Sequence, residues 1–199
     1  MQSLEIHPQT PQARHIKTIA SELNRDALML YPTDSGYAIG CSAASPKAIN
    51  KLYALKKPAK KFFMVMFLPE LSKAKTYAKI NDFAFPILKT HLPGPYTFIL
   101  PADPYIARKL DVNRPEIGIR ISPHIFIKSL FEHFEHPILS TAAKIEESQA
   151  FTKPEELKPI FQSKVDIFAN MGEVPITPTN VINLCNNNID VIRGEFVYS

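Results

Sequence analysis

The sequence predicts an α/β fold: a single twisted sheet, mixed or largely parallel, flanked by helices. Two observations carry this expectation. Apolar residues switch along the chain between helical spacing and short continuous runs that suit buried strands. Several prolines also follow a Ser, Thr or Asp, as in Thr10-Pro11, Ser45-Pro46, Asp103-Pro104 and Ser122-Pro123, the order expected where a capping side chain precedes the first helical residue. At 199 residues the chain is long enough to bury a sizeable core, and 1–199 is expected to form one domain. A hydrophobic share of 45% and a charged share of 21% exclude disordered, collagenous and coiled-coil readings.

The elements follow in order. Ile16, Ile19, Ala20 and Leu23 predict a helix, and the apolar run from Ala27 to Tyr31 a strand ended by Pro32. Ser45-Pro46 opens a second helix with Ile49, Leu52 and Tyr53 inward, and the run from Phe62 to Leu68 predicts a strand buried on both faces. Leu71 to Lys89 reads as one or two helices broken near Asn81 and Pro86, leading to a strand from Tyr96 to Leu100. A short helix is expected from Asp103 to Leu110 and a strand from Ile117 to Ile121. A helix then presents Ile127, Leu130, Phe131 and Phe134, and a strand follows from Ile138 to Thr141. Thr152 and Glu155 have capping-box spacing ahead of Leu157, Ile160 and Phe161. Strands at Val165–Ala169, Val181–Leu184 and Ile189–Ile192 complete the pattern.

Several classes drop out. Neither G-x-G-x-x-G nor a P-loop is present, and no Gly-x-Ser-x-Gly, His-Glu-x-x-His or paired-carboxylate arrangement appears. Cys41 and Cys185 have no disulfide or zinc spacing, so no structural metal is expected and both read as small buried hydrophobes. None of the six histidines has ligand spacing. No apolar run reaches the roughly 20 residues that a membrane helix needs, and the first 25 residues lack the apolar core of an export signal. No membrane partner and a cytoplasmic location are therefore expected. A net charge of +4 suits an anionic partner.

Four segments could carry chemistry. From Tyr31 to Cys41 the chain reads Tyr-Pro-Thr-Asp-Ser-Gly-Tyr-Ala-Ile-Gly-Cys. A strand there delivers a turn with hydroxyls and a carboxylate, suited either to a ligand or to bonding its own backbone. Lys56, Lys57, Lys60 and Lys61 crowd a helix end. A helix dipole favours cations there, and so would a phosphate chain. Pro93-Gly94-Pro95 makes a rigid turn where backbone could approach a flat ligand. Arg120 sits inside an apolar strand and requires a partner, internal or bound, and Arg193 raises the same question.

Together these segments resemble the YrdC/YciO family, whose better known members are threonylcarbamoyl-adenylate synthases acting in tRNA modification. The match runs in order through Tyr31 to Gly40, Pro93 to Thr97, Ile119 to Ser122, Ser140-Thr141, Pro178-Thr179-Asn180-Val181 and Arg193-Gly194, and the wording at Asp34-Ser35-Gly36-Tyr37 is closer to the YciO-like branch. The resemblance implies a YrdC-like fold with a basic concave groove for ATP or another nucleotide, L-threonine and bicarbonate, or for structured RNA or tRNA. By the same resemblance Lys56 is the catalytic cation, and Thr33, Asp34, Tyr37, Arg120 and Thr179 hold the substrate. Lys56, Lys57, Pro93, Gly94, Thr97, Ser140, Thr141, Lys144 and Arg193 hold the nucleotide, with Mg²⁺ accompanying ATP. Three positions depart from the family pattern. Pro58 replaces an arginine, Ala142 a serine and Lys144 an asparagine. These departures leave open a non-catalytic factor, related to translation, that binds double-stranded RNA or tRNA.

Overall fold

A computed structural model describes residues 1–56, 64–104, 115–144 and 151–197, with the Lys56 side chain excluded. The strands are β1 (Gln2–Glu5), β2 (Met29–Thr33), β3 (Gly36–Ser42), β4 (Val65–Phe67), β5 (Tyr96–Pro101), β6 (Glu116–Arg120), β7 (Ile138–Ala142), β8 (Ile167–Asn170), β9 (Asn180–Asn183) and β10 (Asp190–Arg193). The helices are α1 (Ala13–Leu23), α2 (Pro46–Lys56), α3 (Ala84–His91), α4 (Ile125–Phe131) and α5 (Pro154–Phe161), with a 3-10 helix at Leu71–Thr76. Among the described residues ten strands join one mixed sheet in the order β1-β8-β2-β3-β7-β4-β6-β5-β9-β10. The sheet mixes parallel pairs, such as β4 with β6, and antiparallel pairs, such as β3 with β7.

Side-chain alternation sorts the two faces. One face carries Leu30, Tyr37, Ile39, Met66, Phe98 and Ile119 against α2, α3 and α5. On the other, Met29, Tyr31, Ala38, Phe67 and Ile138 pack under α1 and α4. Thr97, Gly118, Arg120 and Val181, which follow the second face across β5, β6 and β9, join neither core among the described residues.

That second face is concave. β2 and β6 stand four inter-strand spacings apart, about 19 Å in a flat sheet. Yet the turn that follows β2 touches the end of β6 through Arg120 and Asp34, with Nη2 at 2.6 Å from Oδ2. Side chains alone cannot bridge such a gap, so the sheet must curl toward this face.

Several local expectations need correction. Gly36–Ser42 is a strand, buried at all seven positions, rather than the tail of a loop. β1 carries a polar pattern that periodicity passes over, and it pairs parallel to β8 at the sheet edge. Ser45 does cap α2, its Oγ accepting from the Ala48 N–H at 3.0 Å. The other caps differ. α1 begins after Gln12, and Thr10 instead bonds the His7 ring. α4 begins after His124, whose Nδ1 accepts from the Phe126 N–H at 3.3 Å. α5 begins after Lys153 with no side-chain cap, so Thr152 and Glu155 form no capping box. Pro104 is helical, while the rest of the helix expected to Leu110 lies outside the described residues.

Candidate functional site on the concave face

Arg120 is the last residue of β6 and is 4% exposed. Register explains its orientation: Ile117, Ile119 and Ile121 fill the core beneath, so Gly118 and Arg120 point to the concave side. The guanidinium donates to Asp34 at 2.6 Å and to the Ser35 hydroxyl at 3.0 Å, and lies 5.3 Å from the Phe67 ring centre. Burial draws the Arg120 pKa down and Asp34 opposes the shift. An arginine stays protonated in either case.

Asp34 has a second partner. The Ser122 hydroxyl donates to Oδ1 at 2.6 Å and accepts the His124 N–H at 3.1 Å. His124 is a residue that sequence reasoning passes over. Its ring is partly buried and its pKa is lowered, chiefly by burial, with Asp34 opposing and Arg120 reinforcing. The Ser122-Pro123 pair read as a helix start therefore serves the site instead. A serine two positions beyond a buried strand arginine is the signal that could have found it.

The turn itself is tightly bonded. The Thr33 hydroxyl donates to the Gly36 carbonyl at 2.7 Å and accepts the Ser35 N–H at 3.1 Å. Gly36 has φ +99°, the left-handed region that glycine enters without penalty. Thr33 bonds its own turn, as one reading of this segment expects, while Asp34 reaches across the sheet to Arg120.

The remaining expected residues divide by face. Arg193 ends β10 and donates to the Thr179 carbonyl at 2.9 Å and hydroxyl at 2.7 Å. Arg193 stands opposite Val181, which stands opposite Thr97, so register puts it on the sheet face that Arg120 also follows. The Gly94 N–H donates to the Ile121 carbonyl at 3.1 Å, which ties the Pro93-Gly94-Pro95 turn to the end of β6. A Cβ at Gly94 would collide with the His91 carbonyl. Gly118 is closely packed: a Cβ there would lie 3.3 Å from the Thr97 methyl and 3.4 Å from the Met64 carbonyl oxygen.

Ser140 lies on the same face, buried, accepting from the Tyr31 hydroxyl at 2.6 Å and donating to the Ile39 carbonyl at 3.2 Å. Tyr37 does not join this group. Its ring packs on the opposite face beside Phe168, its hydroxyl bonds Gly172 and Met171, and burial lifts its pKa to about 12. Thr141 pairs with Ile39 and so points to that opposite face as well. Lys144 is exposed just beyond β7. Lys56 ends α2, but its side chain and all of Lys57, Pro58, Lys60 and Lys61 lie outside the described residues. Among the described residues no group of three or more His, Cys, Asp or Glu could hold a metal, and no helix is long and apolar enough to cross a membrane.

Fold and residues together define a curled mixed sheet whose inner face gathers two arginines, a carboxylate and several hydroxyls. A profile of the Sua5/YciO/YrdC family, described as "Telomere recombination", matches residues 21–194, and the chain belongs to that family. It is 32% identical over 191 residues to the uncharacterized protein YciO of Escherichia coli, with 94% of this chain and 92% of that protein covered. The crystal structure of E. coli YciO superimposes with a TM-score of 0.89, covering 96% of this chain and 94% of that one. The threonylcarbamoyl-AMP synthase of Buchnera aphidicola subsp. Schizaphis graminum is 29% identical over 166 residues, covering 81% of this chain and 87% of that protein. The Pyrococcus abyssi protein Sua5, solved with L-threonine, shares the fold at a TM-score of 0.88 and 20% identity, covering 97% of this chain and 57% of that one.

Proposed function

We propose that this protein binds an amino acid and a nucleotide on the concave face and forms threonylcarbamoyl-AMP from L-threonine, bicarbonate and ATP, in support of tRNA modification. The observation that carries this reading is the contact of the Thr33–Gly36 turn with Arg120, with the Pro93-Gly94-Pro95 turn tied both to Ile121 and to Asn180 beside the Thr179–Arg193 pair. The synthase relatives and the threonine bound to P. abyssi Sua5 support the choice of substrates.

Threonine's amine displaces water from bicarbonate to give a carbamate, whose carboxylate attacks the α-phosphorus of ATP and expels pyrophosphate. Such a step needs no nucleophile from the protein, so catalysis consists of positioning and charge stabilisation. Thr33, Asp34 and Arg120 frame the amino-acid end and Thr179 with Arg193 borders it. Pro93, Gly94 and Thr97 shape the nucleotide end. By the family resemblance Lys56, Lys57, Ser140, Thr141 and Lys144 are assigned to the phosphates, and Mg²⁺ enters as the companion of ATP. Tyr37 and Thr141 lie on the opposite face of the sheet, so any part they take in binding is indirect.

The test is pyrophosphate release with all three substrates and Mg²⁺. We expect release that falls about 100-fold in Lys56→Ala. Equal traces from the wild type and that variant would defeat the synthase reading. A second reading is favoured by Ala142 and Lys144 and by the Ser140 hydroxyl, which is already spent on Ile39. It is a non-catalytic factor for double-stranded RNA or tRNA, whose affinity would fall steeply with added salt as phosphate counterions are released.

A further inference from the structure

Arg120 has been placed so far at the amino-acid end of the proposed site, and the inference below rests on that placement while changing what the residue does there. Its side chain is 5% exposed. One terminal nitrogen is committed to Asp34 and the other to Ser35. Nε is fully buried without a partner, beside the Phe67 ring, where a ligand cannot reach it. Two of the five guanidinium N–H groups are engaged in these bonds, and with the side chain 5% exposed little of the guanidinium faces outward for the bidentate grip on a carboxylate that an arginine would otherwise supply. Asp34 is the more accessible partner, with 20% of its side chain exposed.

Ser122 completes the arrangement. Its hydroxyl takes the second oxygen of Asp34, and its own oxygen is fixed by the His124 N–H at the entrance to α4. The connected groups run from the His124 backbone through Ser122, Asp34 and Arg120 to Ser35. They tie the turn after β2 to the end of β6 across the inside of the curl. Thr33 holds the same turn from within.

We infer that Arg120 and Ser122 are positioning residues: they clasp the Thr33–Gly36 turn and fix the Asp34 carboxylate, and they act on a bound amino acid only through that turn. Neither residue touches the ligand. The assignment predicts that losing either residue loosens the turn first, and that their effects on binding disappear once Asp34 no longer anchors them.

Two measurements test this on the full-length protein. In the first, amide hydrogen exchange is followed at Ser35 and Gly36 in wild type, Ser122→Ala and Arg120→Lys, with the Ile19 amide of α1 as a remote reference. Loss of one hydrogen bond of this kind should speed exchange in the turn about fivefold or more in each variant and leave Ile19 unchanged. Unchanged turn amides in Ser122→Ala, a variant that removes only a hydroxyl, would overturn the clasp.

In the second, calorimetry gives the L-threonine Kd for Arg120→Lys and Ser122→Ala, alone and combined with Asp34→Asn. Each single variant should weaken binding by about the same factor as Asp34→Asn, and the double variants should be no weaker than Asp34→Asn alone. A further full loss on adding Arg120→Lys to Asp34→Asn would show direct contact between Arg120 and the ligand, and would sink the assignment. If wild type binds no threonine, the proposed substrate falls, and the exchange measurement still decides the clasp.

Discussion

Two polar clusters in this molecule use nearly the same parts in different surroundings. On the concave face Asp34 takes a serine hydroxyl at 2.6 Å and an arginine at 2.6 Å. At the junction of α1 and α2, Asp26 takes the Ser45 hydroxyl at 2.6 Å and Lys47 at 3.5 Å, while Lys51 donates to the Asp26 carbonyl and pairs with Asp166. Side-chain exposure is 5% and 20% for Arg120 and Asp34, against 72% and 33% for Lys47 and Asp26. Burial decides what each cluster can do. Charges removed from water must stay paired to be tolerated, so the inner cluster fixes geometry. Charges left in water interact weakly and can be exchanged at little cost.

The largest effect should come from breaking the inner pair. Arg120→Met leaves Asp34 partly buried with one hydroxyl partner and should cost about 3 kcal/mol or more in urea unfolding. Replacing both partners, Arg120→Met with Asp34→Leu, should restore most of that loss, because the penalty belongs to the orphaned charge rather than to the missing attraction. A single-variant cost below about 1 kcal/mol, typical of a surface pair, would erase the distinction between the two clusters.

The difference between the clusters was only partly legible in the sequence. Arg120 advertised itself as a charge among isoleucines, and the need for a partner followed from that alone. Its partner did not, because Asp34 lies 86 positions away and meets it only through the curl of the sheet, which depends on strand order. Strand order is a property of long-range pairing that local periodicity does not encode. The same limit hid β3, where two glycines and a tyrosine read as loop chemistry. Gly40 is required there by packing, since a Cβ would lie 2.8 Å from Ile138 and 2.9 Å from Tyr31. Ser45-Pro46 was readable because a helix cap is a local device. Thr10-Pro11 and Ser122-Pro123 have the same wording, but their hydroxyls bond His7 and Asp34 instead.

A smaller effect should appear with pH. Burial lowers the His124 pKa below its ordinary 6.5, against the pull of Asp34. The unfolded chain therefore binds a proton more readily than the folded one in the window below 6.5, and stability must fall as pH drops through it. The ring also accepts the Phe126 N–H through Nδ1, a bond that a proton on that nitrogen would remove. His124→Asn keeps a capping acceptor without titrating. Urea midpoints of the two proteins should agree near neutral pH and separate on the acid side, with wild type the less stable. Parallel midpoints through that range would mean that His124 titrates alike in both states.

The smallest effect should be found at Lys47. It pairs with Asp26 through a mostly exposed ammonium, and the largest influence lowering the Asp26 pKa is the Ser45 hydroxyl rather than either lysine. Asp26 also stands at φ +65°, a left-handed conformation that aspartate tolerates better than most residues. The turn between α1 and β2 is thus set by backbone and hydroxyl geometry, with the lysine added outside. Lys47→Met should leave the thermal midpoint nearly unchanged at low salt and indistinguishable from wild type at high salt, where exposed charges are screened. A clear, salt-resistant loss in that variant would show that the outer cluster is shielded from water like the inner one. Burial would then no longer account for their different roles.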